Sequence, residues 1–543
     1  MSNQSNSDAS ASNIVEIEAG LEKLALSANL APPGDGLNVP TVSMSLPLSH
    51  ACHEIGQVLA ASPLYRFGDG FVTIDKEGEF QPMSAVRFCS WAEGYLYTTM
   101  DRRAGQEIMT MRKEYAAGVL ASDSFREQIR EIKAVNHVRL PVWRGTGEIK
   151  PTRSNKPFWL AEGSDWHVEL LPPGYDEKTK TFTLDGVPYA EDLSLEDAEA
   201  FLLDVLKAFP FAKEDGLGNT RSLGVHIAAL MGVYCRAMFQ PGTVRPMVIY
   251  SANQSGSGKS LLMRMALAPV FGTPAEKSKP SNDEIGKILD IAAMEARPYL
   301  VLDDCPSLHS NALNQFITSH MHEARVLGQS RNVRREIVTQ VFATGNQLTL
   351  AEDLVRRSLV VDLFEPGKAP DRTFKELITD EWLFLTETRS QFLAALWAIM
   401  RSWKEADMPH DSEVRSSSAS MWASVIGSLV NHLNPKLKPF AKRMYEMGGD
   451  ESGAALEALL IAIASDAPDG GAEYKPSDVI DEAEERGLLE AICGYAKDPR
   501  KALGHKVKKM RGRQFTDSHG RRFEFGKRDA SYGAVYPIRF MGS

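Results

Sequence analysis

Lys259 and Ser260, preceded by two glycines that bracket Ser257, form a residue pattern able to hold a polyphosphate. The stretch from Arg245 to Ser260 reads RPMVIYSANQSGSGKS. Met247, Val248, Ile249 and Tyr250 make a short apolar run that predicts a buried strand, and LLMRMALAPVF after Ser260 predicts a helix. A polyphosphate needs this order. The strand aims the loop, small residues let backbone N–H groups face oxygen, and the helix N-terminus carries partial positive charge. Asn253, Ser255, Gly256, Ser257, Gly258, Lys259 and Ser260 are therefore the candidate nucleotide contacts. Lys259 is expected to hold the β- and γ-phosphates and Ser260 to ligate Mg²⁺. Asn253 stands where such loops have their first glycine; after Gly, Asn is the residue best able to adopt a positive φ. A chance GSGKS in a flexible loop is the competing reading, and the strand before it and the helix after it weigh against it.

A second run, RPYLVLDD from Arg297 to Asp304, predicts an apolar strand ending in two carboxylates. Asp303 is expected to hold Mg²⁺ together with Ser260, and Asp304 to polarise the attacking water. The bland alternative is a buried strand followed by a turn aspartate. A third strand, IVTQVFAT from Ile337 to Thr344, leads to Asn346, whose amide could orient that water. DLVRRSLVVDLF then brings Arg356 and Arg357 just before another apolar strand, where a fixed arginine suits a finger reaching into a neighbouring subunit's site. Two adjacent arginines could equally be a solvated patch.

The elements that must position these groups follow from composition and periodicity. The chain has 543 residues, enough for three or four domains, with hydrophobic content of 43% and charged content of 24%, values of an ordinary globular protein. No apolar run is long enough for a membrane span, no secretory signal is visible at the start, and five cysteines without a C-x-x-C pair suggest reduced thiols in a cytoplasmic setting. Residues 1–45 read as a disordered tail with a short amphipathic segment at Ile14 to Leu26, and 46–190 as a mixed α+β domain. Ser194 to Phe209 and Ser222 to Phe239 read as helices leading into the nucleotide domain at 191–372. A helical lid is expected at 373–445, and a linker at Ala464 to Gly471.

The formal net charge of -10 hides an asymmetry, because Pro499 to Ser543 carries twelve Lys or Arg against three Asp or Glu. A helix, a basic helix and a basic hairpin there have the outline of a winged helix within 446–543. Lys501, Lys508, Lys509, Arg511, Arg521 and Arg522 are the candidate duplex contacts. A basic solvated domain without DNA is the alternative.

The order GSGKS, LVLDD, ATGN and DLVRR resembles the superfamily 3 helicases and related ATPases of phages, plasmids and integrated elements. The resemblance implies an α/β fold with an AAA+ P-loop core and parallel sheet. It also implies ATP and Mg²⁺ as cofactors and assembly as a ring, in that family a hexamer. RVLGQSRNVRREI, from Arg325 to Ile337, falls where that family has a pore hairpin gripping single-stranded DNA, with Arg331, Arg334 and Arg335 at or near its tip. The expected function is a DNA helicase in the replication of a mobile element, working with a primase or polymerase of the same element. The alternative is a switch ATPase that does not unwind: a loader, an initiator or a defence NTPase.

Overall fold

A parallel sheet of five strands carries the chemistry-bearing residues. In a computed structural model, its order is Lys277–Ser278, Tyr299–Asp303, Gln340–Asn346, Met247–Ala252, Ser358–Leu363, and each neighbouring pair runs parallel. The structure describes residues 39–540 apart from 104, 148, 150–156, 213–219, 253–254, 279, 306, 326–331, 347, 351, 365–377, 412–418, 442–450, 494–497, 510–513, 518, 526–527 and 531–532. The chain is a mixed α/β protein with several further small sheets.

The sheet strands are nearly continuous apolar runs because both faces are covered, as parallel sheets require. Alternate residues pack to opposite sides. Val248, Tyr250, Phe342 and Val361 join one core with the Thr220–Tyr234 and Lys259–Phe271 helices. Met247, Ile249, Val341, Ala343 and Val360 join another with the Asn282–Met294 and Asn311–Phe316 helices. Ser281 begins the first of these with a capping box to Glu284. A short return at Pro210 to Ala212 covers the outer edge of the Ser358–Leu363 strand, through Ala212 N–H to the Asp362 carbonyl (2.9 Å) and Phe364 N–H to the Pro210 carbonyl (2.8 Å).

Upstream, small sheets and helices make the mixed α+β part expected from the sequence. Thr41–Ser43, within the stretch read as tail, is a strand paired in parallel with Tyr97–Arg102. The segment Ile14 to Leu26 lies outside the described residues. From Val138 onward the chain shares its core with the Thr220–Tyr234, Lys259–Phe271 and Thr386–Glu405 helices: Trp143 stacks on Trp159 (5.3 Å between ring centroids) and meets Trp403 edge-on. The packing therefore joins these segments across the boundary read at residue 190.

In the stretch read as a lid, the helices Asp380–Phe384 and Thr386–Glu405 pack on the Lys259–Phe271 helix, and Ser420–Leu433 packs on Thr220–Tyr234 and Thr386–Glu405, all through the same core. Arg389 donates to the carbonyls of Ala268 (2.9 Å), Pro269 and Val270 (both 3.4 Å), the end of the Lys259–Phe271 helix. The Ala268 carbonyl also accepts the capping Gly272 N–H at 2.9 Å, and a cation suits the negative end of the helix dipole. At the C-terminus, the helices Glu451–Asp466, Pro476–Glu485 and Pro499–Lys509 pack on an antiparallel sheet built from Ala472–Tyr474, Gly533–Phe540, Arg522–Phe525 and Gln514–Thr516. The stretch read as a linker is the end of the Glu451–Asp466 helix and a tight turn, closed by Gly471 N–H to the Pro468 carbonyl at 2.8 Å. Leu456 and Leu460 of that helix belong to the same core as Val479 and Phe523, so it is part of this unit.

Candidate nucleotide site

The loop after Met247–Ala252 turns on two glycines with left-handed backbone, Gly256 (φ 82°) and Gly258 (φ 87°), a conformation that a side chain would strain. A Cβ on Gly258 would also sit 3.2 Å from the Phe209 ring. Gly258 is the N-cap of the Lys259–Phe271 helix and offers no side chain to its first N–H groups. Those donors are thus left for an anion. Ser255 and Gly256 are exposed, whereas Ser257 and Lys259 are buried. Asn253 lies outside the described residues.

Long-range pairing brings the other groups to this loop. The Gln340–Asn346 strand lies between the phosphate-loop strand and the Tyr299–Asp303 strand, with Ala252 opposite Asn346. Ser260 Oγ donates to Asp303 Oδ1 at 3.0 Å, and Thr344 Oγ1 donates to the same oxygen at 2.6 Å. Thr344 Oγ1 also accepts from the Asp304 N–H at 3.0 Å. Asp304 has φ 52°, a left-handed backbone immediately after the strand ends at Asp303. Asn346 Oδ1 is buried with no hydrogen-bond partner among the described residues, an orphaned acceptor at the end of the central strand. Such groups are costly unless a ligand or water satisfies them.

Two residues without an assigned role in the sequence reading support this geometry. Thr344 links the Asp303 carboxylate to the backbone N–H of Asp304. Gly345 is where the backbones come closest, since a Cβ there would lie 2.3 Å from the Cys305 carbonyl oxygen. Its place between a strand and an amide was visible in the sequence, but the crossing chain was not. Burial, with the Asp303 and Asp304 charges adding, pushes the Cys305 thiol up to about 11, so it stays protonated and inert. Behind the loop helix, Arg264 bonds Glu276 in a fork (2.5 and 3.0 Å) and reaches Asp380 at 3.0 Å, tying the helix to the lid. The Glu276 hydrogen bond raises the Arg264 pKa further above its ordinary value.

The two candidate finger arginines differ. Arg357 donates to Asn314 Oδ1 within the chain, while Arg356 is exposed. In the hairpin, Met321–Arg325 pairs antiparallel with Asn332–Glu336, and its turn, with Arg331, lies outside the described residues. Arg334 is exposed on the second strand, opposite Glu323. Arg335 instead lies against the turn at Gly68, where a Cβ would come within 2.6 Å of its Nη2. Arg126 donates to the carbonyls of Gly68 and Asp69 and holds the same turn.

Among the C-terminal cations, Lys501 and Arg522 are exposed. Arg521 is spent internally: it pairs with Asp517 (2.7 Å) and Asp469 (2.6 Å), donates to the Ala464 carbonyl at 3.0 Å and lies over the Phe540 ring. Lys508 and Lys509 belong to the Pro499–Lys509 helix, with side chains outside the described ones, and Arg511 lies outside the described residues altogether.

Among the described residues, no helix is long and apolar enough to cross a membrane, and all five cysteines are free thiols. No family model and no curated protein matches the sequence. Among solved structures, the chain is similar to the apo A form of the NrS-1 C-terminal region, with 15% identity over 71% of this chain and 83% of that one and a TM-score of 0.32. It is similar also to the form of that region spanning 305–718, with 11% identity over 90% of this chain and 99% of that one and a TM-score of 0.40. These likenesses are too distant to transfer an activity.

Proposed function

We propose that the chain is an ATP hydrolase with an AAA+ P-loop core that acts on DNA during replication of a phage, plasmid or other mobile element. The observation that carries the reading is the convergence of Lys259, Ser260, Asp303 and the orphaned Asn346 Oδ1 at one end of a parallel sheet. Ligands of such sheets bind outside the carboxyl ends of the strands. Ser260 and Asp303, already 3.0 Å apart, are the residues that would hold Mg²⁺. ATP with Mg²⁺ supplies the phosphoryl chemistry; the chain's own part is to bind and orient it. Buried Lys259 and the uncapped helix N-terminus meet the phosphates, Asp304 takes the proton of the attacking water, and Asn346 orients that water. Exposed Arg356 suits a finger supplied to the next subunit of a ring.

The helicase reading draws on the Met321–Glu336 hairpin, which carries exposed Arg334 between the second and third motifs. The C-terminal unit, helices packed on an antiparallel sheet with exposed Lys501 and Arg522, supports a winged helix that docks on duplex. A switch ATPase that does not unwind is the second reading, favoured by Arg335. Its contact with the Gly68 turn ties the hairpin to the N-terminal part rather than to a channel. Nucleotide hydrolysis and strand separation, measured together on a forked substrate with and without Lys259→Ala, test the proposal. Hydrolysis that survives Lys259→Ala overturns the enzyme assignment, and hydrolysis without unwinding selects the switch.

A further inference from the structure

A cavity of about 420 Å³ opens at the other end of the phosphate-loop strand, where the chain enters it through Arg245. Lys133, Lys178, Arg236, Arg245, Trp143 and Trp166 are among its walls, drawn from the N-terminal part and from the segment before the strand. Among the described lining residues none is acidic, and the further lining cation, Arg144, is already neutralised by Asp176 (2.5 Å) and Glu169 (3.1 Å).

Arg245 is only 8% exposed, and its Nε has no hydrogen-bond partner among the described residues. Its Nη1 reaches the Thr243 carbonyl at 3.0 Å, and its guanidinium lies 5.9 Å from the Phe239 ring centre. Arg236 donates to the Val135 carbonyl (3.1 Å) and to Asn136 Oδ1 (3.3 Å). Neither arginine has an ion-pair partner among the described residues. Burial pushes Arg236 down to about 10, and burial together with the Arg236 charge pushes Arg245 down to about 9, so both remain cationic at neutral pH. Two neighbouring buried cations without a carboxylate are costly, and an anion accepting from Arg245 Nε would offset that cost. Guanidinium groups match phosphate oxygens in geometry as well as charge. Trp166, half-buried on the wall, offers an aromatic face on which a base can stack.

We propose that this cavity is a second phosphate site, distinct from the GSGKS loop, that takes the phosphate of a nucleotide between Arg245, Arg236, Lys133 and Lys178. The inference does not rest on the ATPase reading, because no residue of the nucleotide site lines the cavity.

The test uses the full chain with Lys259→Ala, which silences the phosphate loop, and the same chain with Arg245→Gln added. Thymidine monophosphate and a short oligothymidylate with either a 5′-phosphate or a 5′-hydroxyl are titrated by calorimetry. The phosphate-bearing probe should bind the first protein and bind the second about ten- to a hundred-fold more weakly, the effect of losing a charge-assisted hydrogen bond. Binding of the mononucleotide assigns a free nucleotide; binding of the 5′-phosphorylated strand alone assigns a strand end. The ligand-free melting temperature should change little with Arg245→Gln, since the charge removed has no ion-pair partner among the described residues and Gln can still donate to the Thr243 carbonyl, whereas an arginine that holds the fold through its charge would lower it. Should that variant fail to fold, Lys133→Ala with Lys178→Ala should weaken binding and flatten its salt dependence. Absence of binding by every probe, or equal binding with and without these cations, overturns the proposal.

Discussion

Thr344 Oγ1 donates to Asp303 Oδ1 at 2.6 Å and accepts from the Asp304 N–H at 3.0 Å, so one hydroxyl holds the Asp303 carboxylate and the backbone of Asp304. Thr344→Val keeps the shape of the side chain and removes both bonds. We expect nucleotide binding to persist and turnover to fall about ten-fold, the effect of losing a hydrogen bond to a charged group. Thr344→Ser should retain most activity. Steady-state hydrolysis beside binding of a fluorescent nucleotide checks this, and a Val variant with unchanged turnover would remove Thr344 from the machinery.

Lys259→Ala should abolish nucleotide binding. Asp304→Asn should keep binding and lose turnover by roughly a hundred-fold or more, the usual contribution of a positioned base. Asn tolerates the left-handed backbone at this position (φ 52°), so the change tests chemistry without adding strain. The two variants are compared by the same pair of assays, and hydrolysis that survives both would refute the assignment.

Arg356 and Arg357 are adjacent, yet they should respond differently. Arg357→Ala breaks the bond to Asn314 and should lower the melting temperature. Arg356→Ala should suppress hydrolysis while nucleotide binding persists, and mixing it with the Lys259→Ala protein should restore part of the activity if the finger acts between subunits. Full activity of Arg356→Ala, or of a strictly monomeric preparation, would exclude a finger at this position.

In the hairpin, Arg334→Ala should leave basal hydrolysis intact and abolish its stimulation by single-stranded DNA. Gly68→Ala should instead destabilise the protein, because the residue has φ 56° and its Cβ would come within 2.6 Å of the Arg335 guanidinium. Removing residues 446–543, which takes the Glu451–Asp466 helix with the rest of its core, should weaken duplex binding and reduce its salt dependence while the ATPase remains. Equal DNA stimulation of the wild type and Arg334→Ala would argue for the switch.

Acid should unfold the protein through buried histidines. His226 is fully buried beside the Tyr250 hydroxyl (3.1 Å), and burial lowers its pKa to about 3; His137 is lowered to about 4, by burial first and then by Arg236 and Arg389. In the unfolded chain both titrate near 6.5. As the pH falls below that value the unfolded chain takes up protons that the native one refuses, so stability is full above about 6.5 and declines toward 4. Melting temperatures across this range should fall less steeply in His226→Gln, which can still accept from Tyr250, and an unchanged slope would show that His226 does not contribute.

The sequence by itself determined the groups that are local in the chain. The turn on Gly256 and Gly258 followed by Lys259-Ser260 depends on residues adjacent to one another and on the strand and helix that flank them. The apolar runs at Met247 and Tyr299 could be read for the same reason, as could the cap at Ser194, which accepts from the Asp197 N–H at 3.0 Å. Tertiary structure decided which residues meet across long separations. Thr344 reaches Asp303 only because the Gln340–Asn346 strand inserts beside Tyr299–Asp303, and strand order is set by packing between helices distant in sequence. It also sorted cations that are indistinguishable by type. Arg356 is exposed and Arg357 is held by Asn314; Arg334 is exposed and Arg335 is docked at Gly68; Arg522 is exposed, while Arg521 is taken up by Asp517, Asp469 and helix-end carbonyls. A guanidinium's role depends on which acceptors the folded chain brings within reach, and its neighbours in sequence do not supply them.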